Sequence, residues 1–327
     1  MNNYNDWLIN GYVTEDIPAK INIIEEINNL KKEKNAVIMA HFYQTKEIQD
    51  IADYIGDSLA LAQMAQKTDA EIILLAGVYF MGETAKILCP DKKVIIPDKN
   101  AGCSLADSCP ADKFEEFVNQ HNECLVITYV NTTAAVKALS HISVTSSNAV
   151  EIIKNIDDRR PIIFGPDRNL GDYINGLTGR KMLLWDGACH VHEKFSLEKI
   201  LELKKQYPEA KVLAHPECKR PILLIADFIG STSALLNYSQ KSETKYFIVA
   251  TESGILHEMK KKSPEKMFIP APPLDSTCGC NDCEYMKLNT LKKIYFSLKY
   301  EFPEIEIDEE IRKKALKPIL KMLELSK

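Results

Sequence analysis

The 327-residue chain is 45% hydrophobic and 27% charged, with 41 basic against 46 acidic residues and a formal net charge of −5, which excludes a disordered polymer and a global field for nucleic acid. Its longest uncharged apolar stretch, Ile72 to Gly82, is far short of the ~20 residues of a membrane span, and the first residues, MNNYNDWLIN, have neither the basic nor the apolar region of a secretory signal. A cytoplasmic protein without nucleic-acid or membrane partners is expected, so its nine cysteines should be thiols, a count that suggests metal or cluster ligands.

In chain order, the first β-branched apolar run is Ala36 to Ala40, which ends in the cluster His41-Phe42-Tyr43. Ser58 then stands at a helix start in GDSLALAQMA, EIILLAGV follows as a second apolar run, and KVIIPDKNAGC is a third, closing on Cys103. The pattern restarts at Leu125 to Thr128, ends in Tyr129-Val130-Asn131, places Ser146 in TSSNAVEII, and continues through PIIFGPDR to KMLLWDGAC and Cys189. A third pass runs from Lys211 to Ala214, ends in His215-Pro216-Glu217, and places Thr232 in GSTSALLNY. KYFIVATESG and KMFIPAPP then lead into Thr277-Cys278-Gly279-Cys280-Asn281-Asp282-Cys283. Beyond Cys283, LNTLKKIYFSLKYEF and DEEIRKKALKPILKML carry apolar residues at helical spacing.

The clusters at 41, 129 and 215 are separated by 88 and 86 residues, the hydroxyls at 58, 146 and 232 by the same two steps, and Cys103 from Cys189 by 86. Agreement among independent offsets marks an internal repeat, each unit reading strand, helix, strand, helix, strand. The predicted fold class is α/β: three similar three-layer αβα domains with parallel sheets around a pseudo-threefold axis. They would span residues 20–105, 106–192 and 193–283, with a helical tail at 284–327 packing on the body.

Ligands of parallel α/β units bind at the carboxyl ends of strands beside helix N-termini, where the clusters and the three hydroxyls fall. Three such ends around one axis would form a shared pocket for a multiply anionic small molecule, the hydroxyls capping free N–H groups. Cys103 and Cys189 occupy matching ends of two repeats, and the third repeat ends in its own cysteine group. One thiolate from each repeat suits an iron–sulfur cluster better than zinc, which takes paired C-x-x-C elements; a three-thiolate cluster leaves one iron open as a Lewis acid. Cys280-x-x-Cys283 alone reads equally as a zinc half-site or a redox dithiol, and Cys89, Cys124 and Cys218 as buried small hydrophobes. His41 and His215 at equivalent strand ends, with Tyr43, Glu217 and His192, form acid–base equipment facing one pocket. The phosphate loop, the dinucleotide turn, the H-E-x-x-H helix and the G-x-S-x-G elbow are all missing from the sequence.

The segments AHFYQTKEIQDIADYIGDSLALAQMA, DKNAGCSLADSC, YVNTTAAVKA, FGPDRNLGDYI, WDGACHVHEKF, AHPEC, GSTSALL, VATESGILHEM and CNDCEYMKLNTL, taken in this order, resemble the quinolinate synthase family, the A protein of bacterial and archaeal NAD biosynthesis. The resemblance implies a cytoplasmic condensing and dehydrating transferase that joins iminoaspartate to dihydroxyacetone phosphate, giving quinolinate with loss of phosphate and two waters. It implies a 4Fe-4S cluster on Cys103, Cys189 and Cys283, the last chosen because it precedes Glu284-Tyr285-Met286, although many relatives have proline where this chain has Glu284. It implies a substrate pocket of His41, Ser58, Tyr129, Val130, Asn131, Ser146, His215, Pro216, Glu217 and Thr232. His41, Tyr43, Glu217 and His192 are the implied catalytic group, and an enzyme that produces iminoaspartate is the implied functional partner. Two rival readings are a cluster-dependent hydro-lyase acting on a hydroxy acid and a non-catalytic protein with structural zinc at Cys278, Cys280 and Cys283.

Overall fold

The structure, a computed structural model, describes residues 4–19, 21–275 and 281–326. The first sheet holds β1 (Ala36–His41), β2 (Tyr54–Gly56), β3 (Ile72–Ala76) and β4 (Lys93–Ile95) in the order β2-β1-β3-β4. The second holds β5 (Leu125–Tyr129), β6 (Ile142–Val144), β7 (Ile162–Gly165) and β8 (Leu183–Leu184) in the order β6-β5-β7-β8. The third holds β9 (Lys211–Ala214), β10 (Phe228–Ile229), β11 (Tyr246–Ala250) and β12 (Met267–Pro270) in the order β10-β9-β11-β12. Every pairing within the three sheets is parallel, so the same topology occurs three times.

Period-two alternation sorts the helices into layers. In the first sheet Ile38, Ala40, Leu74 and Ala76 face one core with Ile27, Ile294 and Phe296, whereas Met39, Ile73 and Leu75 face another with Leu61 and Ala85. The third sheet repeats this: Val212, Ala214, Ile248 and Ala250 pack with Ile200 and Ile222, and Leu213, Phe247 and Val249 with Leu235 and Met259. In the second, Val126 and Ile163 meet Phe114 while Ile127 and Phe164 meet Ile152 and Leu170. These are three-layer αβα units with strands buried on both faces.

Two expectations from the sequence are corrected. Each unit has four strands rather than three, because β2, β6 and β10 are edge strands of two or three residues with no longer apolar run around them, unlike the equally short β4 and β8 in the runs KVII and KMLL. The hydroxyls at 58, 146 and 232 are not the helix caps. Asp57 Oδ1 accepts from Ala60 N at 3.0 Å ahead of the helix Ser58–Lys67, and Ser231 Oγ from Ala234 N at 3.3 Å ahead of Thr232–Lys241. Asn148 precedes the helix Ala149–Asn155, and Ser146 lies in the turn before it. A neighbour does the capping in the first and third units, which leaves the side chains of Ser58 and Thr232 for other use.

The tail is helical and packed. Helix Leu291–Tyr300 buries Ile294, Phe296 and Leu298 against the first sheet's outer face, and helix Glu309–Leu325 buries Ala315, Ile319 and Met322 against Ile87 and Ala134. Full burial of each large apolar side chain is worth about 1.5–3 kcal/mol, so the tail is an integral part of the body. Among the described residues, no helix is long and apolar enough to cross a membrane.

Candidate functional site

The pairings Ala40 with Ala76, Thr128 with Gly165 and Ala214 with Ala250 place His41, Tyr129 and His215 at one common height, just past the aligned ends of the central strands. They meet at a cavity whose walls also include Ser58, Asn131, Ser146, Glu217 and Thr232, together with Tyr43, His192, Cys103, Cys189 and Cys283. Val130 and Pro216 are buried beside it without lining it; Val130 lines a smaller apolar pocket that shares Ser58 and Phe80 with the cavity.

The two strand-end histidines are built alike. Tyr43 N donates to His41 Nδ1 at 3.2 Å, and Glu217 N to His215 Nδ1 at 3.3 Å. A ring whose Nδ1 accepts an amide carries its hydrogen on Nε2, so each neutral imidazole is a fixed donor toward the cavity. His215 Nε2 uses this bond on Ser146 Oγ, 3.2 Å away. Burial, working against nearby carboxylates, holds His41 down to about 4 and His215 to about 3, so both are neutral near pH 7.

Glu217 is the centre of charge. Tyr129 Oη donates to its Oε1 at 2.5 Å, and His215 Nδ1 is 3.7 Å from the same oxygen. Burial alone would raise this carboxyl, but its neighbours, among them the Tyr129 hydroxyl donated to Oε1, outweigh it and hold Glu217 below the ordinary carboxylate range, an ionised group in a buried site. Burial, reinforced by that anion, keeps Tyr129 and Tyr43 protonated far above the ordinary phenol range. Tyr43 Oη reaches Thr232 Oγ1 at 3.0 Å and Thr251 Oγ1 at 2.7 Å, and Thr251 Oγ1 in turn lies 3.0 Å from His192 Nε2. Thr251 was not singled out from the sequence, although it sits one residue past β11, the position rule that identified His41, Tyr129 and His215. Asp57 and Glu252 line the cavity wall and went unnoticed; Asp57 could have been found as the cap before Ser58.

Cys103, Cys189 and Cys283 each immediately precede a single four-residue helical turn, Ser104–Asp107, His190–Glu193 and Glu284–Lys287. Backbone N–H groups of that turn face each sulfur: Leu105 and Ala106 for Cys103, His192 for Cys189, Tyr285 and Met286 for Cys283. Burial pushes the metal-free thiols up, Cys103 to about 12 and Cys283 to about 11, while the N–H groups act in the other direction. Asp167 Oδ2 accepts from Cys189 N and Glu252 Oε1 from Cys283 N, both at 3.2 Å. Among the described residues the one donor group gathered tightly enough for a single ion is Cys189, His192 and Glu217, with ligand atoms within 4.8 Å of one another. Cys103 and Cys283 stand outside that group, so the three sulfurs, equivalent in setting and each supplied with N–H donors, fit a body larger than one ion. Cys278 and Cys280 lie outside the described residues. Cys89, Cys109, Cys124 and Cys218 are buried away from the cavity wall.

The outlying histidines have local partners: His141 Nδ1 accepts from Val126 N, His257 Nε2 meets Asp50, and His190 Nδ1 meets Ser104 Oγ at 2.5 Å.

A family model described as quinolinate synthetase A protein matches residues 25–324. The chain is 57% identical over 309 residues to a quinolinate synthase of Chloroherpeton thalassium, covering 94% of this chain and 96% of that one. It is 59% identical over 300 residues to one of Rippkaea orientalis, 92% of each chain, and 56% identical over 309 residues to one of Thermosynechococcus vestitus, 94% and 97%.

Proposed function

The chain belongs to the quinolinate synthetase A family, enzymes of NAD biosynthesis, and from that premise we propose that it condenses iminoaspartate with dihydroxyacetone phosphate to quinolinate, phosphate and two waters. The observation that carries this reading is the meeting of three equivalent cysteine turns and three equivalent strand ends at one cavity.

Cys103, Cys189 and Cys283 would hold a 4Fe-4S cluster, which when bound supplies Lewis acidity from the iron that has no protein ligand. The rest of the work falls to side chains. Both substrates are anionic, and among the described residues the cavity wall has no lysine or arginine. Carboxylates and phosphate are met instead by neutral donors: the hydroxyls of Ser58, Ser146 and Thr232, the Asn131 amide, and the Nε2–H groups of His41 and His215. Glu217, ionised and buried, is the base for protons released during isomerisation, imine formation and dehydration, and Tyr129 Oη, already hydrogen-bonded to it, is the group that returns them. Tyr43 and His192, joined through Thr251, are the second proton-handling pair on the cysteine side. Closure of the cavity keeps a reactive imine away from bulk water. An enzyme that forms iminoaspartate would supply the first substrate.

Anaerobic protein carrying iron and sulfide, given both substrates, should form quinolinate. Absence of quinolinate with iron and sulfide intact would favour a hydro-lyase, and zinc without iron or sulfide would overturn the cluster assignment. Replacement of Cys103, Cys189 or Cys283 by serine should each lower bound iron, with no comparable loss on replacing Cys280.

A further inference from the structure

His192 is 2% exposed, and its Nδ1 has no aligned hydrogen-bond partner although Glu217 Oε2 stands only 2.9 Å away. Its other nitrogen faces Thr251 Oγ1 at 3.0 Å. In the tautomer that donates Nε2–H to Thr251, the Nδ1 lone pair and Glu217 Oε2 face the same space, and a cation placed between them would bind both. The third side of this space is the Cys189 sulfur, and the three ligand atoms lie within 4.8 Å of one another. Thiolate, imidazole and carboxylate form a donor set suited to zinc and its neighbours among the divalent transition ions, with the fourth position left toward the cavity. The supporting contacts are in place as well: Thr251 on the far nitrogen of His192, Tyr129 on Glu217 Oε1, and Asp167 on the Cys189 amide.

We propose that the cluster-free chain binds one divalent transition ion, zinc or an ion of similar preference, at Cys189 Sγ, His192 Nδ1 and Glu217 Oε2. Binding converts the Cys189 thiol to a thiolate and releases its proton to solvent, with no change of oxidation state. Because Cys189 cannot serve this ion and a cluster together, occupancy by zinc blocks cluster loading; that consequence, unlike the site itself, rests on the cluster ligands proposed above.

Cobalt(II) is the probe. Cluster-free, fully reduced protein titrated anaerobically with cobalt(II) should develop thiolate-to-cobalt and ligand-field absorption that saturates at one ion per chain and is displaced by one equivalent of zinc. Cys189→Ser should abolish the thiolate band, and Glu217→Gln and His192→Gln should each weaken binding at least about tenfold. Cys103→Ser, Cys280→Ser and Cys283→Ser should retain the band, which shows at the same time that serine at these sites leaves a folded chain. The proposal is overturned by the absence of a band in the unaltered chain, by its survival in Cys189→Ser, or by its loss in any other cysteine variant, the mark of an ion held by several thiols. Iron and sulfide content of protein loaded without zinc is a separate measurement, so failure of the cluster reading and failure of this site are distinguishable.

Discussion

In the first and third repeats the leading strand ends on a histidine whose Nδ1 accepts the amide two residues on, whereas the second ends on Tyr129, whose hydroxyl crosses to Glu217 of the third. A second asymmetry runs the other way. Two residues past the central strand stand Val78, Asp167 and Glu252 in the three repeats, and only the two carboxylates accept the amide of their own repeat's cysteine, Cys189 or Cys283. The scaffold is threefold and the chemistry is not. Repetition brings equivalent positions to one place, and single substitutions at those positions give them different hydrogen-bonding chemistry.

The strongest way to break this picture is at Glu217, the proposed base. Glu217→Gln keeps the shape and removes the charge, and should lower quinolinate formation by about 10²–10⁴-fold while bound iron stays near its original level. Equal loss of iron and turnover would make Glu217 an anchor rather than a base. Next come the anchors themselves. Asp167 is fully buried, caps the helix Arg168–Thr178 through Leu170 N and holds Cys189 N, so Asp167→Ala should cost about 2–4 kcal/mol in urea unfolding and reduce iron loading. Asp167→Asn keeps an acceptor and should recover much of both, while Val78→Ala in the first repeat should leave cluster loading nearly unchanged.

The matched histidines give a smaller, pH-dependent effect. Their folded-state values, about 4 for His41 and about 3 for His215, lie below the 6.5 of a free imidazole. Between those values the unfolded chain binds protons that the folded chain refuses, so their contribution is full above about pH 6.5 and is lost as pH falls toward 4. Unfolding of cluster-free protein should lose roughly 2 kcal/mol per histidine between about pH 6.5 and about 4.5, and His41→Gln should remove one share of that slope. Smallest is Cys124→Ala. This thiol is buried beside Phe114, away from the cavity, and its loss should cost roughly 1 kcal/mol and no iron, in contrast to any of the three cavity cysteines.

Much of this was legible in the sequence because a doubly buried parallel strand is an apolar run that stops where the sheet stops. The offsets of 41, 129 and 215 therefore reported the strand ends directly. Short edge strands outside such a run leave no such trace, so β2, β6 and β10 went unseen while the equally short β4 and β8, lying in KVII and KMLL, did not. Adjacent polar residues misled for a related reason: in Asp57-Ser58 and Ser231-Thr232 either member is chemically able to cap, and only backbone geometry decides that the first one does. Thr251 and Asp167 were missed because the polar residues after the central strands were not aligned as those after the leading strands were. Contacts between repeats, such as Tyr129 with Glu217 or Tyr43 with Thr232, depend on how three units pack and have no counterpart in local pattern.

The cavity wall draws on residues from His41 to Met286, and the helix Glu309–Leu325, which follows all three repeats, joins the first and second through Ile87 and Ala134. A ribosome releases the parts of this site in the order of the sequence, and the last wall residues emerge only after all three repeats have been made. The pocket is therefore a late product of synthesis: earlier repeats can fold as they appear, but they wait, with Cys103 and Cys189 uncovered, for the segment that encloses them.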